Sequence, residues 1–104
     1  MNELDRFLAA EQKAAIIEAQ GGLCAVCGAA PAIFLAHRIP QTKANLRRYG
    51  RAIIHHRLNM IGVCSNPACN DRVLIDGKPE EKRRLLAQIR EERTIEVRHF
   101  LRNH

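Results

Sequence analysis

Apolar residues near the start of the chain recur at the spacing of a helix. They are Leu4, Phe7, Leu8, Ile16 and Ile17. Because residues three or four apart share one face of an α-helix, and alanine is abundant between them, this pattern predicts a helix over residues 3–20. Glycine commonly follows the last turn of a helix, so Gly21 and Gly22 are expected to end it.

Two short apolar runs in the middle of the chain predict strands. The first covers residues 32–36 (AIFLA) and is ended by Pro40, and the second covers residues 58–63 (LNMIGV). Short apolar runs next to turn residues are typical of buried strands. Residues 41–57 between them form a polar, arginine-rich connection, in which residues 43–48 favour a helical turn.

The last third of the chain predicts helices. Residues 70–74 could begin one, residues 76–79 (DGKP) indicate a turn, and Pro79 suits the first turn of the next helix. Apolar residues then recur on one helical face. They are Leu85, Leu86 and Ile89, followed by Ile95, Val97, Phe100 and Leu101. We expect the terminal helices to pack as an apolar collar around the metal module predicted from the four cysteines.

A chain of 104 residues is short for a self-sufficient core and gains from a covalent or metal staple. The predicted elements give a single α+β domain over residues 1–104. It comprises an N-terminal helix (1–22), a central core (23–76) and C-terminal helices (77–104).

The net charge of +6 is concentrated in the middle of the chain. No aspartate or glutamate occurs from Ala19 through Asn70, and this stretch carries the whole basic excess. Its six basic residues are Arg38, Lys43, Arg47, Arg48, Arg51 and Arg57. Such a distribution favours binding to a polyanion over a membrane surface, since the stretch shows no long amphipathic helix.

Four cysteines fall into two close pairs, Cys24/Cys27 and Cys64/Cys69. The N-terminus resembles no secretory signal, and no apolar run approaches the roughly 18 residues of a membrane span. We therefore expect a cytoplasmic protein with reduced thiols, in which the two pairs bind metal. Four sulfur ligands complete a tetrahedral zinc site, so this zinc is predicted to be structural. No obligate protein partner is evident.

One histidine stands at the end of the first predicted strand. His37 is followed by Arg38-Ile39-Pro40, which should restrict its backbone. Asn59 lies shortly before Cys64, and Asn70 directly follows Cys69. If zinc holds the two strands side by side, both asparagines would come near His37.

The order of these motifs resembles the His-Asn-His (HNH) endonuclease family. The resemblance rests on Cys-x-x-Cys-Gly, then His-Arg-Ile-Pro, then Leu-Asn-Met-Ile-Gly-Val-Cys and Cys-Asn, and covers residues 24–73, about half the chain. It implies a ββα-metal (His-Me finger) core, with structural zinc here, and a metal-dependent DNA endonuclease of weak sequence specificity that nicks as a monomer.

The resemblance also implies roles for individual residues. His37 would be the general base, Asn59 would orient it through a ring nitrogen, and Asn70 would bind a catalytic divalent ion. Such a base suits neutral pH, because a histidine of ordinary pKa is largely unprotonated there. Arg38 could stabilise the transition state or bind a phosphate.

The sequence departs from the family at Ala36, where the family has a metal-ligating aspartate or histidine. Replacement ligands could come from Asp71, less plausibly from Asp76 or Glu18, or from one of two adjacent histidines. Strand parity favours His55, whereas a turn before Asn59 favours His56, which we prefer as a catalytic and metal-binding residue. A site of this kind suits Mn²⁺ or Ni²⁺ better than Mg²⁺.

Two other functions fit the same residues. The protein could be a zinc-containing module that binds nucleic acid without cutting it, because Ala36 leaves the site without a metal ligand. It could also be a zinc-stapled protein-interaction adaptor, although this leaves the concentrated basic charge without a purpose.

Overall fold

The first helix, α1, spans Glu3–Ala19 in a computed structural model that describes residues 2–103. The side chain of Asn2 caps it by accepting a hydrogen bond from the backbone N–H of Asp5 (2.8 Å). Gly21, with φ at +81°, follows its end in a conformation that favours glycine. The helix predicted over residues 3–20 is confirmed.

Two strands form an antiparallel pair, β1 (Phe34–His37) and β2 (Met60–Val63), in which Ala36 faces Ile61 and His37 faces Met60. Both predicted strands are confirmed, although each begins two residues later than expected. Side chains alternate across a strand, so Ala36 and His37 lie on opposite faces of the sheet.

Helix α1 crosses the sheet at a glycine. Gly62 exchanges two hydrogen bonds with the side chain of Gln20, its N–H donating to Oε1 (2.9 Å) and its carbonyl accepting from Nε2 (2.8 Å). A Cβ atom at Gly62 would lie 3.0 Å from Cγ1 of Ile17. A larger residue at this position would therefore push α1 away from β2.

The connection between the strands is mostly helical. Helix α2 spans Lys43–Tyr49, helix α3 spans Arg51–Ile54, and a 3-10 turn covers Arg57–Asn59. The helical turn predicted at residues 43–48 is confirmed. Gly50 separates the two helices with φ at +84°.

Two helices follow β2. Helix α4 spans Pro67–Arg72 and is capped by Asn66, so the helix predicted to begin at residues 70–74 in fact begins earlier and ends at Arg72. Helix α5 spans Pro79–Asn103 and begins at the predicted proline. Among the described residues, no helix is both long and apolar enough to cross a membrane.

The buried side chains form two clusters in this small α+β protein. The helix-side core contains Ile39, Ile53, Ile54, Ile75, Leu85, Leu86 and Ile89. The cysteine-side core contains Cys24, Ala36, Val63, Cys64, Cys69 and Val73. The expected apolar collar is wrong, because α1 buries no residue and the buried part of α5 packs in the helix-side core. The division of residues 1–104 into three parts stays a prediction.

Candidate metal centre and histidine pair

The four cysteines come together as predicted and could hold a metal ion. Their sulfur atoms all lie within 4.8 Å of one another. Sγ of Cys27 is 4.0 Å from Sγ of Cys64. Zinc bound tetrahedrally at about 2.3 Å places its sulfur ligands about 3.8 Å apart, so this spacing suits a zinc ion.

Three parts of the fold position the sulfur atoms. Cys24 and Cys27 lie on a tight turn closed by the N–H of Gly28, which donates to the carbonyl of Cys24 (2.9 Å). Cys64 directly follows β2, and Cys69 lies on α4. The turn is tied to β2 because the N–H of Ala25 donates to the carbonyl of Gly62 (3.0 Å).

The thiols differ in their acidity. The backbone N–H of Cys27 lowers the pKa of Cys24 to about 6, and that of Ala29 lowers the pKa of Cys27. Burial, in contrast, raises the pKa of Cys69 to about 12. Thiolates are the species that bind metal, so the Cys24–Cys27 turn offers the more favourable ligands.

His37 and His55 form a pair on the surface near the end of β1. Nε2 of His37 lies 3.2 Å from Nδ1 of His55, and the ring centroids are 5.4 Å apart in an edge-to-face arrangement. His37 is half-buried and His55 is exposed. Burial, and then the charge of His55, lower the pKa of His37 below its ordinary value. His37 therefore favours its neutral form more than an ordinary histidine does.

Asn59 holds the backbone on which this pair stands. Its side chain is fully buried, with Oδ1 accepting from the N–H of Ile39 (2.8 Å). Its Nδ2 donates to the carbonyls of Ile39 (3.1 Å) and Ile54 (2.8 Å). The expectation that Asn59 orients His37 through a ring nitrogen is wrong, since the carboxamide is used on backbone groups and the ring meets His55.

His56 points away from His37. Its Nδ1 accepts from the N–H of Leu58 (3.2 Å), and its Nε2 lies 3.7 Å from Oε1 of Glu96. The preference for His56 over His55 is therefore corrected. His55 and His56 point in different directions because His55 ends α3, whereas His56 caps the following 3-10 turn.

Ala36 itself offers no ligand atom, and the asparagine expected to bind the catalytic ion lies at the surface of α4. Ala36 is 4% exposed and packs in the cysteine-side core, while Asn70 and Asp71 lie exposed on α4. Within residues 2–103, the four cysteines are the only group of three or more metal-ligating His, Cys, Asp or Glu side chains close enough to share an ion. The catalytic ion expected at Asn70 and His56 stays a prediction.

The predicted DNA-binding residues occupy different surfaces. Lys43, Arg47 and Arg51 line one shallow surface of α2 and α3. Arg48 stacks its guanidinium 5.4 Å from the ring centre of Tyr49.

Two other basic residues face α5. Arg38 lines a cleft with Arg84 and Gln88, and Arg57 forms an ion pair with Glu92. Arg57 is thus partly neutralised, and Arg38 does not join the surface on α2.

In comparisons with known proteins, no family model, no curated protein and no solved structure matches this chain. The residues and their geometry therefore carry the functional argument alone.

Proposed function

We propose that this protein binds DNA and hydrolyses its phosphodiester bonds at a site centred on His37. The observation that carries the proposal is the His37–His55 pair, in which a half-buried imidazole of lowered pKa is held by its neighbour. A neutral, oriented imidazole that water can reach is suited to act as a general base.

The ββα-metal core belongs to this proposal. It would consist of β1, β2 and α4, with zinc bound to the four cysteines that join them. A four-sulfur site leaves no position open for substrate, so the ion would stabilise the fold and take no part in the reaction.

The DNA would be bound through its phosphates. Lys43, Arg47 and Arg51 supply positive charge on one surface, within a stretch that contains no carboxylate. Contacts of this kind provide affinity without reading the base sequence, so cleavage would be weakly sequence-specific.

In the proposed reaction His37 takes a proton from a water molecule while the water oxygen bonds to phosphorus. The phosphorus–oxygen bond to the leaving sugar then breaks, and solvent protonates the leaving oxygen. No step is assigned to a second ion, because within residues 2–103 no three His, Cys, Asp or Glu side chains other than the four cysteines lie close enough to share one.

The test is the conversion of supercoiled plasmid to nicked circles by the zinc-loaded protein, with no added ion and with Mn²⁺, Mg²⁺ or Ni²⁺ in parallel. We expect His37→Ala to slow nicking by about 100-fold or more, as for loss of a general base. His99→Ala is the control, since it removes an exposed imidazole on α5. Equal rates for His37→Ala and the unchanged protein would disprove the role of His37.

A second candidate function is favoured by the burial of Ala36, which closes the position where a metal ligand would stand. The protein would then bind nucleic acid without cutting it. Binding would be salt-sensitive, and no divalent ion would produce nicks. Nicking that His37→Ala abolishes would exclude this candidate.

Both candidates predict the same dependence of binding on salt. The double variant Arg47→Ala/Arg51→Ala should weaken binding and reduce the slope of log affinity against log salt by about 1 per residue. Arg102→Ala, at the far end of α5, is the matched control. Fluorescence anisotropy with a labelled duplex measures the affinity and its salt dependence. An unchanged slope in the double variant would show that the binding surface lies elsewhere.

A further inference from the structure

We infer that His55 is the positioning residue of His37: Nδ1 of His55 accepts a hydrogen bond from Nε2–H of His37, which leaves Nδ1 of His37 as the atom that takes the proton. The inference rests on the proposed function for the direction of the bond, since the distance fits donation from either ring, but the pairing and its direction can both be tested separately.

The distance between the rings requires one proton between them. Nε2 of His37 and Nδ1 of His55 are 3.2 Å apart, and two neutral imidazoles can bond at this distance only if one nitrogen donates and the other accepts. If His37 donates, its Nδ1 carries the lone pair and is a base. If His55 donates, Nδ1 of His37 carries a proton and cannot be one.

One side chain, that of Asn59, anchors the backbone close to both histidines. Asn59 is bonded to the N–H and carbonyl of Ile39, two residues after His37, and to the carbonyl of Ile54, the residue before His55. The three bonds lie in the interior, where water does not compete. They fix the relative position of two segments that are 18 residues apart at the histidines.

The position of His55 is set by local structure as well. Its N–H donates to the carbonyl of Arg51 (2.9 Å) at the end of α3, and the preceding Ile54 is fully buried. The ring of His55 is exposed, so it can be replaced without opening either core.

The decisive experiment records the nitrogen-15 resonances of the histidines in the zinc-loaded chain of 104 residues, at a pH high enough for His37 and His55 both to be neutral. We expect neutral His37 to be protonated at Nε2. His55→Asn should preserve this tautomer, because Oδ1 of asparagine accepts from nearly the same place. His55→Leu should produce a mixture of tautomers, and His99→Leu should change nothing.

Titration of the same samples provides a second readout. Since the charge of His55 contributes to lowering the pKa of His37, that pKa should rise in both His55 variants. Protonation at Nδ1 of His37 in the unchanged protein would overturn the inference. So would a tautomer and a pKa that His55→Leu leaves unaltered.

Plasmid nicking separates this inference from the proposed function. His55→Leu should lower kcat by about 10-fold or more with KM unchanged, and His55→Asn should retain most of the rate while its acid limb moves to higher pH. An inactive parent protein would refute the proposed function, while the nitrogen-15 spectra would still decide the hydrogen bond. An active parent with equal rates in His55→Leu would refute the positioning role alone.

Discussion

The two buried cores on either side of His37 are built from different chemistry. The helix-side core consists of isoleucine and leucine side chains, which bury apolar surface without any ligand. The cysteine-side core consists of thiols, two valines and one alanine. Small side chains bury little area, so an ion held by the cysteines would add stability that this core lacks.

His37 stands where the two cores meet. Ala36, the residue before it, packs in the cysteine-side core, and Ile39, two residues after it, packs in the helix-side core. Its partner His55 follows Ile53 and Ile54 of the helix-side core. The candidate site therefore adjoins one core whose cysteines could hold a metal ion and one core of apolar side chains, and weakening each core separately shows what each contributes.

The largest effect is expected from zinc removal. Chelation should lower the free energy of unfolding by about 10 kcal/mol, the scale of small structural zinc sites. Amide hydrogen exchange should then lose protection first at Val63, whereas Leu85 should keep its protection longer. Metal analysis should give one zinc per chain, and less in Cys64→Ser.

The matched control weakens the other core. Ile89 is fully buried, so Ile89→Ala should lower the free energy of unfolding by about 4 kcal/mol in denaturant titrations while zinc stays bound. If chelation leaves Val63 protected, the cysteine-side core does not depend on zinc. If Ile89→Ala releases zinc, the two cores are not independent.

The sequence predicted those features that depend on local pattern. The helix over residues 3–20, both strands and the start of α5 at Pro79 followed from periodicity and from turn residues. The cysteine cluster followed from spacing, since two close pairs have few ways to bind one ion. Helices, strands and turns are determined largely by residues close in sequence, and a metal site of two close cysteine pairs is recognisable from their spacing.

The histidine pair could not be assigned in the same way. The choice between His55 and His56 assumed a strand or a turn leading into Asn59, whereas the structure has α3 followed by a 3-10 turn. Strand parity pointed to His55, but it assumed a strand before Asn59. Residues 51–54 form helix α3, so that reasoning does not apply. Which ring meets His37 depends on how α3 packs, and this is a tertiary property.

The ends of the chain were also misjudged. Apolar residues at helical spacing predicted packing for both terminal helices, yet Leu4 on α1 and Ile95 on α5 are more than half exposed. Periodicity shows that an apolar face exists, but does not show whether anything covers it.

The smaller effect is expected at Asn59, whose three bonds reach Ile39, 20 residues before it, and Ile54. Asn59→Ala would leave buried backbone groups unpaired and should lower the free energy of unfolding by about 3 kcal/mol. Asn45→Ala is the matched control, since its side chain donates one bond, to the carbonyl of Pro40 (2.9 Å), and should cost about 1 kcal/mol.

Asn59→Ala also tests whether the histidine pair relies on the helix-side core. Zinc should remain bound, because none of the three bonds involves a cysteine or a residue of the cysteine-side core. The nitrogen-15 signals of His37 and His55 should nevertheless change, since the backbone next to both would be released. Unchanged histidine signals in a folded Asn59→Ala protein would show that the three bonds of Asn59 are not needed to position the pair.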